Sequence, residues 1–218
     1  MTRRFPLLIV AALMLLPMTG QAQEDAERKV HVLEQKPFLH ALRVEVAPTI
    51  GYVINDVLFH QMHVGGMLRF HILDELAISG SYSHYVVSET SASFDNVQND
   101  YSVFPEKKFV RWFAGGEIAY SPIYGKFVLF GSWTVHWNAY IALGAGVTQT
   151  GVDDIHFTGT AGLGSRFFLT DWMTLNFELK NHIYQENFKA GDEIVDNLTF
   201  QLGFGFFLPA SFDYEFAK

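Results

Sequence analysis

The strict alternation of apolar and polar residues in MTLNFELKNHIY, residues 173–184, is the feature that most constrains the fold. Met, Leu, Phe and Ile occupy odd positions, Thr, Asn, Glu, Lys, His and Tyr occupy even ones, and Asn181 is the exception. A period of two is that of a β-strand with two chemically different faces. A soluble sheet buries the apolar face, whereas a membrane barrel turns it toward lipid. The other strands and their connections distinguish these two arrangements.

Eight such alternating runs follow one another along the chain. They cover roughly residues 42–52, 61–72, 76–87, 109–121, 134–149, 156–169, 173–184 and 197–208. An even number of antiparallel strands of this length predicts an all-β fold, an eight-stranded antiparallel transmembrane β-barrel with up-and-down meander order over residues 42–208. The connections 73–75 and 170–172 are tight, while those after the third and seventh runs are long and polar. Short periplasmic turns and longer extracellular loops predict that both termini are periplasmic.

The N-terminal residues carry the pattern of an export signal. Arg3 and Arg4 precede an apolar run over residues 7–16, and Gly20-Gln21-Ala22 forms a small-x-small cleavage site, so residues 1–22 are predicted to be a signal peptide. Residues 23–41 would then be a periplasmic N-terminal extension, and residues 209–218 a periplasmic C-terminal tail. The chain has no cysteine and must gain stability without disulfides. We expect it in the outer membrane of a Gram-negative bacterium.

The distribution of charge between the two strand faces favours the membrane arrangement. One face of the fourth, fifth and eighth runs is uncharged, and we assign it to lipid: Val110, Trp112, Ala114, Gly116, Ile118, Tyr120, Val135, Trp137, Ala139, Ile141, Leu143, Ala145, Val147, Leu198, Phe200, Leu202, Phe204, Phe206 and Leu208. The strand charges fall on the other face, which we assign to a lumen network: Arg43, Glu45, Arg69, Arg111, Glu117, Arg166, Glu178 and Lys180. A soluble lipocalin-like barrel would place the apolar face inside instead.

The expected lumen is narrow and filled by side chains, as is usual for eight strands. Its charges should pair, because an unpaired buried charge costs several kcal/mol, and we expect Arg166 to reach diagonally to Glu178. The tight turns predict four cross-strand pairs in which a small residue leaves room for a large one: Gly164 with Glu178, Gly162 with Lys180, Ser79 with Arg69 and Ala77 with His71. A narrow ion path through a basic lumen is the alternative.

Two further sets of residues have expected roles in the membrane. Trp112 and Tyr120 are eight residues apart, about 26 Å of strand, and with Trp137 they are predicted to lie in aromatic girdles at the bilayer interfaces. The last strand, QLGFGFFL, resembles the C-terminal signal read by the outer-membrane barrel assembly machinery, through Gln201, Gly203, Phe206 and Leu208. Unlike that signal, it is followed by further residues.

Candidate reactive residues give no complete site. His63, His156 and His182 share the lumen phase and could bind zinc. His156 and His182 lie on adjacent strands, but the sequence places no third ligand beside them, so no metal or cofactor is expected. A lipid A deacylase-like enzyme needs a serine, a histidine and an acid on one face, yet Ser83 and His84 are neighbours and point to opposite faces. The outer connections are acidic, and they are either a solvated surface or a place where divalent cations are shared with phosphorylated lipid. Their charged residues are Asp56, Glu89, Asp95, Asp100, Glu106, Asp153, Asp154, Glu186, Asp192, Glu193 and Asp196, with Lys107, Lys108 and Lys189.

Several segments together resemble a family of outer-membrane β-barrel domain proteins of myxobacteria and their relatives: KPFLHALRVEVAPTIGYVINDVLFHQMHVGG, SPIYGKFVLFGSWTVHWNAYIALGAGV, RFFLTDW and LGFGFFLP. The resemblance covers nearly the whole mature chain and implies the barrel fold and its location. Some barrels in those bacteria belong to envelope-spanning gliding-motility complexes. The resemblance implies no catalytic motif.

The resulting functional hypothesis is a non-enzymatic structural anchor or component of an envelope-spanning complex. Its partners would be outer-membrane lipid, the barrel assembly machinery and other envelope proteins, the last bound through residues 23–38, the apolar turn 124–130 and the tail; no nucleic acid is expected. The alternatives are a narrow channel for small solutes and a lipid-modifying barrel enzyme.

Overall fold

The computed structural model of this chain describes residues 41–91, 93–94, 109–131, 133–151, 154–188 and 191–210. It contains eight strands in these ranges: β1 Val44–Val53, β2 Phe59–His71, β3 Leu76–Thr90, β4 Val110–Leu129, β5 Trp133–Thr150, β6 Asp154–Phe168, β7 Met173–Phe188 and β8 Gly191–Leu208. Each strand pairs antiparallel with the next, and β1 pairs with β8, so the meander closes into a barrel. The predicted signal peptide, residues 23–40 and residues 211–218 lie outside the described residues.

Closure removes the sheet edges, so the backbone hydrogen bonds of the strands are made within the barrel. Along each strand, polar and charged side chains alternate inward and apolar ones outward. Arg69 and Arg166 are 0% and 1% exposed, whereas Ile118, Leu143 and Leu163 are 58%, 64% and 57% exposed. A soluble barrel of this size would show the reverse arrangement. The molecule is therefore a transmembrane β-barrel of the outer-membrane type, and the Glu178 and Lys180 face of β7 points into the lumen.

Among the described residues, no helix combines the length and apolar character needed to cross a membrane.

We name the two ends of the barrel by their connections. The turn end holds the start of β1, the end of β8 and residues 72–75, 130–131 and 169–172. The loop end holds residues 54–58, the ends of β3, β5 and β7 and the starts of β4, β6 and β8. The prediction of a long seventh connection is wrong, because β7 and β8 remain paired as far as Phe188 and Gly191. The fourth connection differs too, because β4 and β5 pair out to Leu129 and Trp133 and extend the sheet at the turn end.

The cross-strand pairs predicted from the tight turns are confirmed. Gly164 lies opposite Glu178 and Gly162 opposite Lys180, and the β2–β3 turn sets Arg69 against Ser79 and His71 against Ala77. The β1–β8 ladder stops at Val46 and resumes at Thr49 in the same register, so it is interrupted at Ala47 and Pro48. Proline lacks the N–H that such a ladder requires, which accounts for the gap at Pro48.

A β-bulge at the loop end of β4 overturns two assignments. Val110 lies opposite Thr150 and Trp112 opposite Gln149, so Arg111 is an extra residue and the alternation changes phase. Arg111 is exposed and does not belong to the lumen network. Val110, assigned to lipid, is buried inside in one apolar cluster with Val53, Tyr85 and Tyr184.

A second register shift lies between Tyr120 and Ile123, where β4 leaves the membrane belt. Val135, also assigned to lipid, lies beyond this shift, opposite Phe127, and is 4% exposed. A bulge increases local twist, so the alternation of the belt does not continue into the extended hairpin.

Candidate functional site in the barrel lumen

A network of ion pairs fills the middle of the lumen. Arg69 is its centre: its guanidinium nitrogens lie 3.5 Å from Glu45, 3.8 Å from Glu117 and 3.8 Å from Glu178. These side chains come from β1, β2, β4 and β7, so the network joins strands around the barrel. The structure thus shows a buried plug of salt bridges in the lumen, made by six of the eight predicted charges: Glu45, Arg69, Glu117, Arg166, Glu178 and Lys180.

Two more cations join Arg69 in balancing the charge of the three carboxylates. Lys180 Nζ lies 2.7 Å from Glu117 and 2.9 Å from Glu178, and Arg166 lies 3.3 Å from Glu45. With Arg69 this makes three cations against three carboxylates, so the core of the network is neutral in formal charge. The predicted contact of Arg166 with Glu178 is wrong, because the Glu45 carboxylate on β1 lies within its reach across the narrow lumen.

Tyr140 is a lumen residue that the charge pattern alone did not reveal. Its hydroxyl donates to Glu178 at 2.8 Å, and Arg69 and Arg166 lie over its ring at 4.7 and 5.3 Å from the centroid. A Cβ at Gly164, the cross-strand partner of Tyr140, would overlap that ring. The inward phase of Tyr140 together with the glycine opposite is the sequence signal that could have located it.

Polar side chains satisfy the remaining carboxylate oxygens. Asn176 donates to Glu45 at 2.7 Å, His71 Nε2 lies 3.3 Å from the same carboxylate, and Ser79 donates to Glu117 at 3.1 Å. Buried charges are tolerated when they are both paired and hydrogen-bonded, and this condition holds for Glu45.

Arg43 closes the lumen at the turn end. Its guanidinium donates to the backbone oxygens of Asp171 and Pro209 at 3.1 and 2.8 Å, and it lies over the Phe207 ring at 4.9 Å from the centroid. These contacts join the β6–β7 turn to the residues that follow β8. The Arg43 guanidinium and the Phe207 ring thus lie between the ion-pair network and the turn end of the lumen.

The three histidines singled out in the sequence all face the lumen between the network and the loop end. His63 is 1% exposed and its ring packs against Tyr85 at 5.1 Å, while His182 packs edge-on to Phe113 at 4.5 Å. His156 Nε2 lies 3.4 Å from Glu186, nearer the mouth. The structure does not gather them into one site: among the described residues there is no group of three or more side chains placed to hold a metal ion.

The residues considered for hydrolysis also remain apart. Ser83 is buried and His84 is exposed, as expected for neighbours on opposite faces of β3. Glu186, counted among the acidic outer connections, is instead 1% exposed inside the barrel mouth because β7 continues inward-facing alternation to its end. Asp95, Asp100, Glu106, Asp153 and Lys189 of those connections lie outside the described residues.

The remaining predicted residues have the expected facing. Gln201 and Gly203 are buried inside, whereas Leu208 is exposed and Phe206 stacks on Trp172 at 6.1 Å. On the outer surface Trp112 stacks with Tyr82 at 6.3 Å, Tyr120 is 48% exposed and Trp137 is partly exposed. Recognition by the assembly machinery and girdle positions in the bilayer stay predictions.

No protein-family model matches this chain, and no curated protein matches it. Solved structures with a similar arrangement include the N-terminal β-barrel domain of Pseudomonas aeruginosa OprF, with 14% identity, TM-score 0.41 and coverage of 77% of this chain and 98% of that one. Neisserial surface protein A has 8% identity and TM-score 0.40, with coverage of 76% and 94%. A designed transmembrane β-barrel has 13% identity and TM-score 0.42, with coverage of 77% and 97%. Likeness at this level carries no argument about function, and the fold assignment rests on the closure and inside-out pattern of this barrel itself.

Proposed function

We propose that the protein is a non-enzymatic integral barrel of the Gram-negative outer membrane that serves as an anchor or component of an envelope-spanning complex. The observation that supports this most is the filled lumen: Arg69, Tyr140 and their partners occupy the cross-section that a transported solute would need. A barrel that does not conduct can act through contacts that its two ends make with other molecules at the membrane faces.

The surface best suited to a partner is the β4–β5 hairpin at the turn end. It carries large apolar side chains in exposed positions from its base to its tip: Phe130 is 91% exposed, Val128 59% and Ile123 54%. Exposed apolar groups of this kind mark interaction sites on many proteins. In the proposed orientation the turn end is periplasmic, where the hairpin, the N-terminal extension and the tail would meet other envelope proteins.

Site-specific photo-crosslinking in cells tests the anchor role. A photoreactive phenylalanine analogue at position 130 should give a discrete adduct with an envelope protein, whereas the same analogue at Asp192, exposed at the loop end, should not. Absence of any discrete adduct from position 130 in outer-membrane fractions would argue against a partner on the hairpin.

Planar-bilayer recording tests the alternative of a narrow channel. The purified barrel should show no discrete conductance, because opening a path would require the buried ion pairs around Arg69 to separate. Reproducible single-channel steps would favour transport. An altered lipid A profile on deletion of the gene would instead favour the lipid-modifying enzyme.

A further inference from the structure

A cavity of about 100 Å³ lies at the loop end, above the ion-pair network. Its lining comes from the β1–β2 connection, β2, β7 and β8: Asp56, Phe59, Gln61, Tyr184, Glu186, Phe188, Val195 and Asn197. Gln61 and Glu186 are 2% and 1% exposed, whereas Asp56, Phe188 and Val195 are half-buried, so the cavity opens toward the loop end.

Hydrogen bonds hold the walls of the cavity in place. Asp56 accepts from the backbone N–H of Leu58 and Phe59 at 2.9 and 3.0 Å, which fixes the β1–β2 connection. Asn55 links that connection to β8, because its side-chain amide donates to the backbone oxygen of Asp196 at 2.6 Å and accepts from the backbone N–H of Leu198 at 2.8 Å. The cavity is therefore formed before any ligand enters, and binding needs little ordering of the protein.

Two further contacts fix the floor and one side. The Gln61 amide oxygen accepts from Val110 N at 3.1 Å, and Asn197 donates to the Tyr184 hydroxyl at 3.1 Å. His156 stacks on Tyr184 at 5.9 Å and lies 3.4 Å from Glu186, so it supports the wall from behind.

The chemistry of the lining selects for a small organic cation. Asp56 and Glu186 are carboxylates, the described lining residues include no lysine or arginine, and three aromatic rings come from Phe59, Tyr184 and Phe188. Aromatic faces beside carboxylates are the usual environment for alkylammonium groups. A Ca²⁺ ion that has shed its water takes about six to eight oxygen ligands, more than walls carrying Phe59, Phe188 and Val195 supply.

We propose that this cavity binds a small organic ammonium ion at the loop-end mouth of the barrel. Because a dry cavity of about 150 Å³ accommodates the six carbons of benzene, this one has room for about four or five non-hydrogen atoms. The ammonium group lies among the aromatic rings and is attracted by the carboxylates of Asp56 and Glu186. This role is separate from the anchor role of the turn end.

The test uses the folded full chain in detergent micelles, titrated with ethanolammonium or tetramethylammonium and observed by ligand NMR. Saturable binding is expected, with propan-1-ol, an uncharged molecule of similar size, at least tenfold weaker. Absence of saturation, equal binding of the alcohol, or displacement of the ammonium ion by micromolar Ca²⁺ would overturn the proposal.

Matched variants separate the cavity from general surface charge. Glu186→Gln should weaken ammonium binding at least tenfold, whereas Glu193→Gln, which removes the exposed acid directly opposite on β8, should change it less than twofold. Val195→Phe fills the space without removing a charge and should abolish binding while the unboiled protein keeps its folded gel mobility. Equal losses for the two glutamate variants, or full binding by folded Val195→Phe, would contradict the cavity as the site.

Discussion

At the scale of single residues, the lumen shows how a chain can bury six charges inside a membrane protein. Arg69 offers a planar set of donors and contacts three carboxylates from three other strands. Lys180 and Arg166 complete the neutral set. Such a network is not a large net gain in stability over apolar packing, but the loss of one member leaves an uncompensated buried charge.

Arg69→Met should therefore be strongly destabilising. Removing the guanidinium leaves three buried glutamates facing two cations, and the free energy of unfolding should fall by about 3–5 kcal/mol. Urea unfolding in lipid vesicles, followed by tryptophan fluorescence, measures the change. The control is Arg111→Met, at the exposed bulge, which should stay within about 0.5 kcal/mol of the parent. Equal effects of the two substitutions would show that burial of the network is not what makes Arg69 important.

Steric complementarity between Gly164 and Tyr140 gives a second prediction at this scale. A methyl group at position 164 would overlap the Tyr140 ring, so Gly164→Ala should cost about 1–3 kcal/mol. The loss should be smaller in a Tyr140→Leu background, and a double-mutant cycle of thermal unfolding measures this coupling. Gly66→Ala is the control, since its nearest neighbour, Ala47 O, would be 3.9 Å away. Strict additivity of the two lumen substitutions would contradict the packing argument.

At the scale of elements, the β4–β5 hairpin is the part that departs most from a minimal barrel. The register shift after Tyr120 turns the strands out of the belt, and Phe127 then packs edge-on to Phe167 at 6.3 Å. The Tyr124 hydroxyl donates to the backbone oxygen of Asp74 at 2.6 Å, which ties the hairpin to the β2–β3 turn. These side-chain contacts add to the β5–β6 pairing, which extends to His136 opposite Phe168, in holding the hairpin against the barrel.

The Tyr124 phenol should report on that attachment. Burial, with the nearby Glu75 and Asp74 carboxylates, raises the pKa of Tyr124 to about 12. Since the raised pKa favours the neutral phenol in the folded state, stability from this group is intact below about pH 10 and declines as the pH rises toward 12. In alkaline difference spectroscopy, Tyr124→Phe should remove one tyrosine from the late-titrating fraction. If Tyr124→Phe removed only a tyrosine that titrates near pH 10, the ordinary value, and left the late-titrating fraction unchanged, the attachment would be contradicted.

At the scale of the whole molecule, alternation predicted the number of strands and left only two choices of facing. The distribution of charge between the two faces and the lengths of the connections then predicted the closed meander and the inside-out arrangement. The tight turns then fixed the registers of β2–β3 and β6–β7. Alternation could not predict the bulge at Arg111, because no glycine or proline marks the change in the phase of inward and outward residues. It could not predict the ion-pair partner of Arg166 either. That partner, Glu45, is set by the diameter of the closed barrel, a property of all eight strands together.

The inside-out arrangement makes the position of a lipid-facing residue along the membrane normal decisive for its tolerance of charge. Leu143 lies on the outer face, paired with Ile118 and Ala161 near the middle of the belt, whereas Leu208 is the last residue of β8 at the turn end. Leu143→Arg should lower the free energy of unfolding in bilayers by about 2–4 kcal/mol, and Leu208→Arg by at most about 1 kcal/mol. Both side chains are more than half exposed, at 64% and 56%, so loss of internal packing would not produce this difference. Urea unfolding in lipid vesicles measures both, and if the two substitutions were equally mild, the exposed apolar belt would not be in contact with lipid.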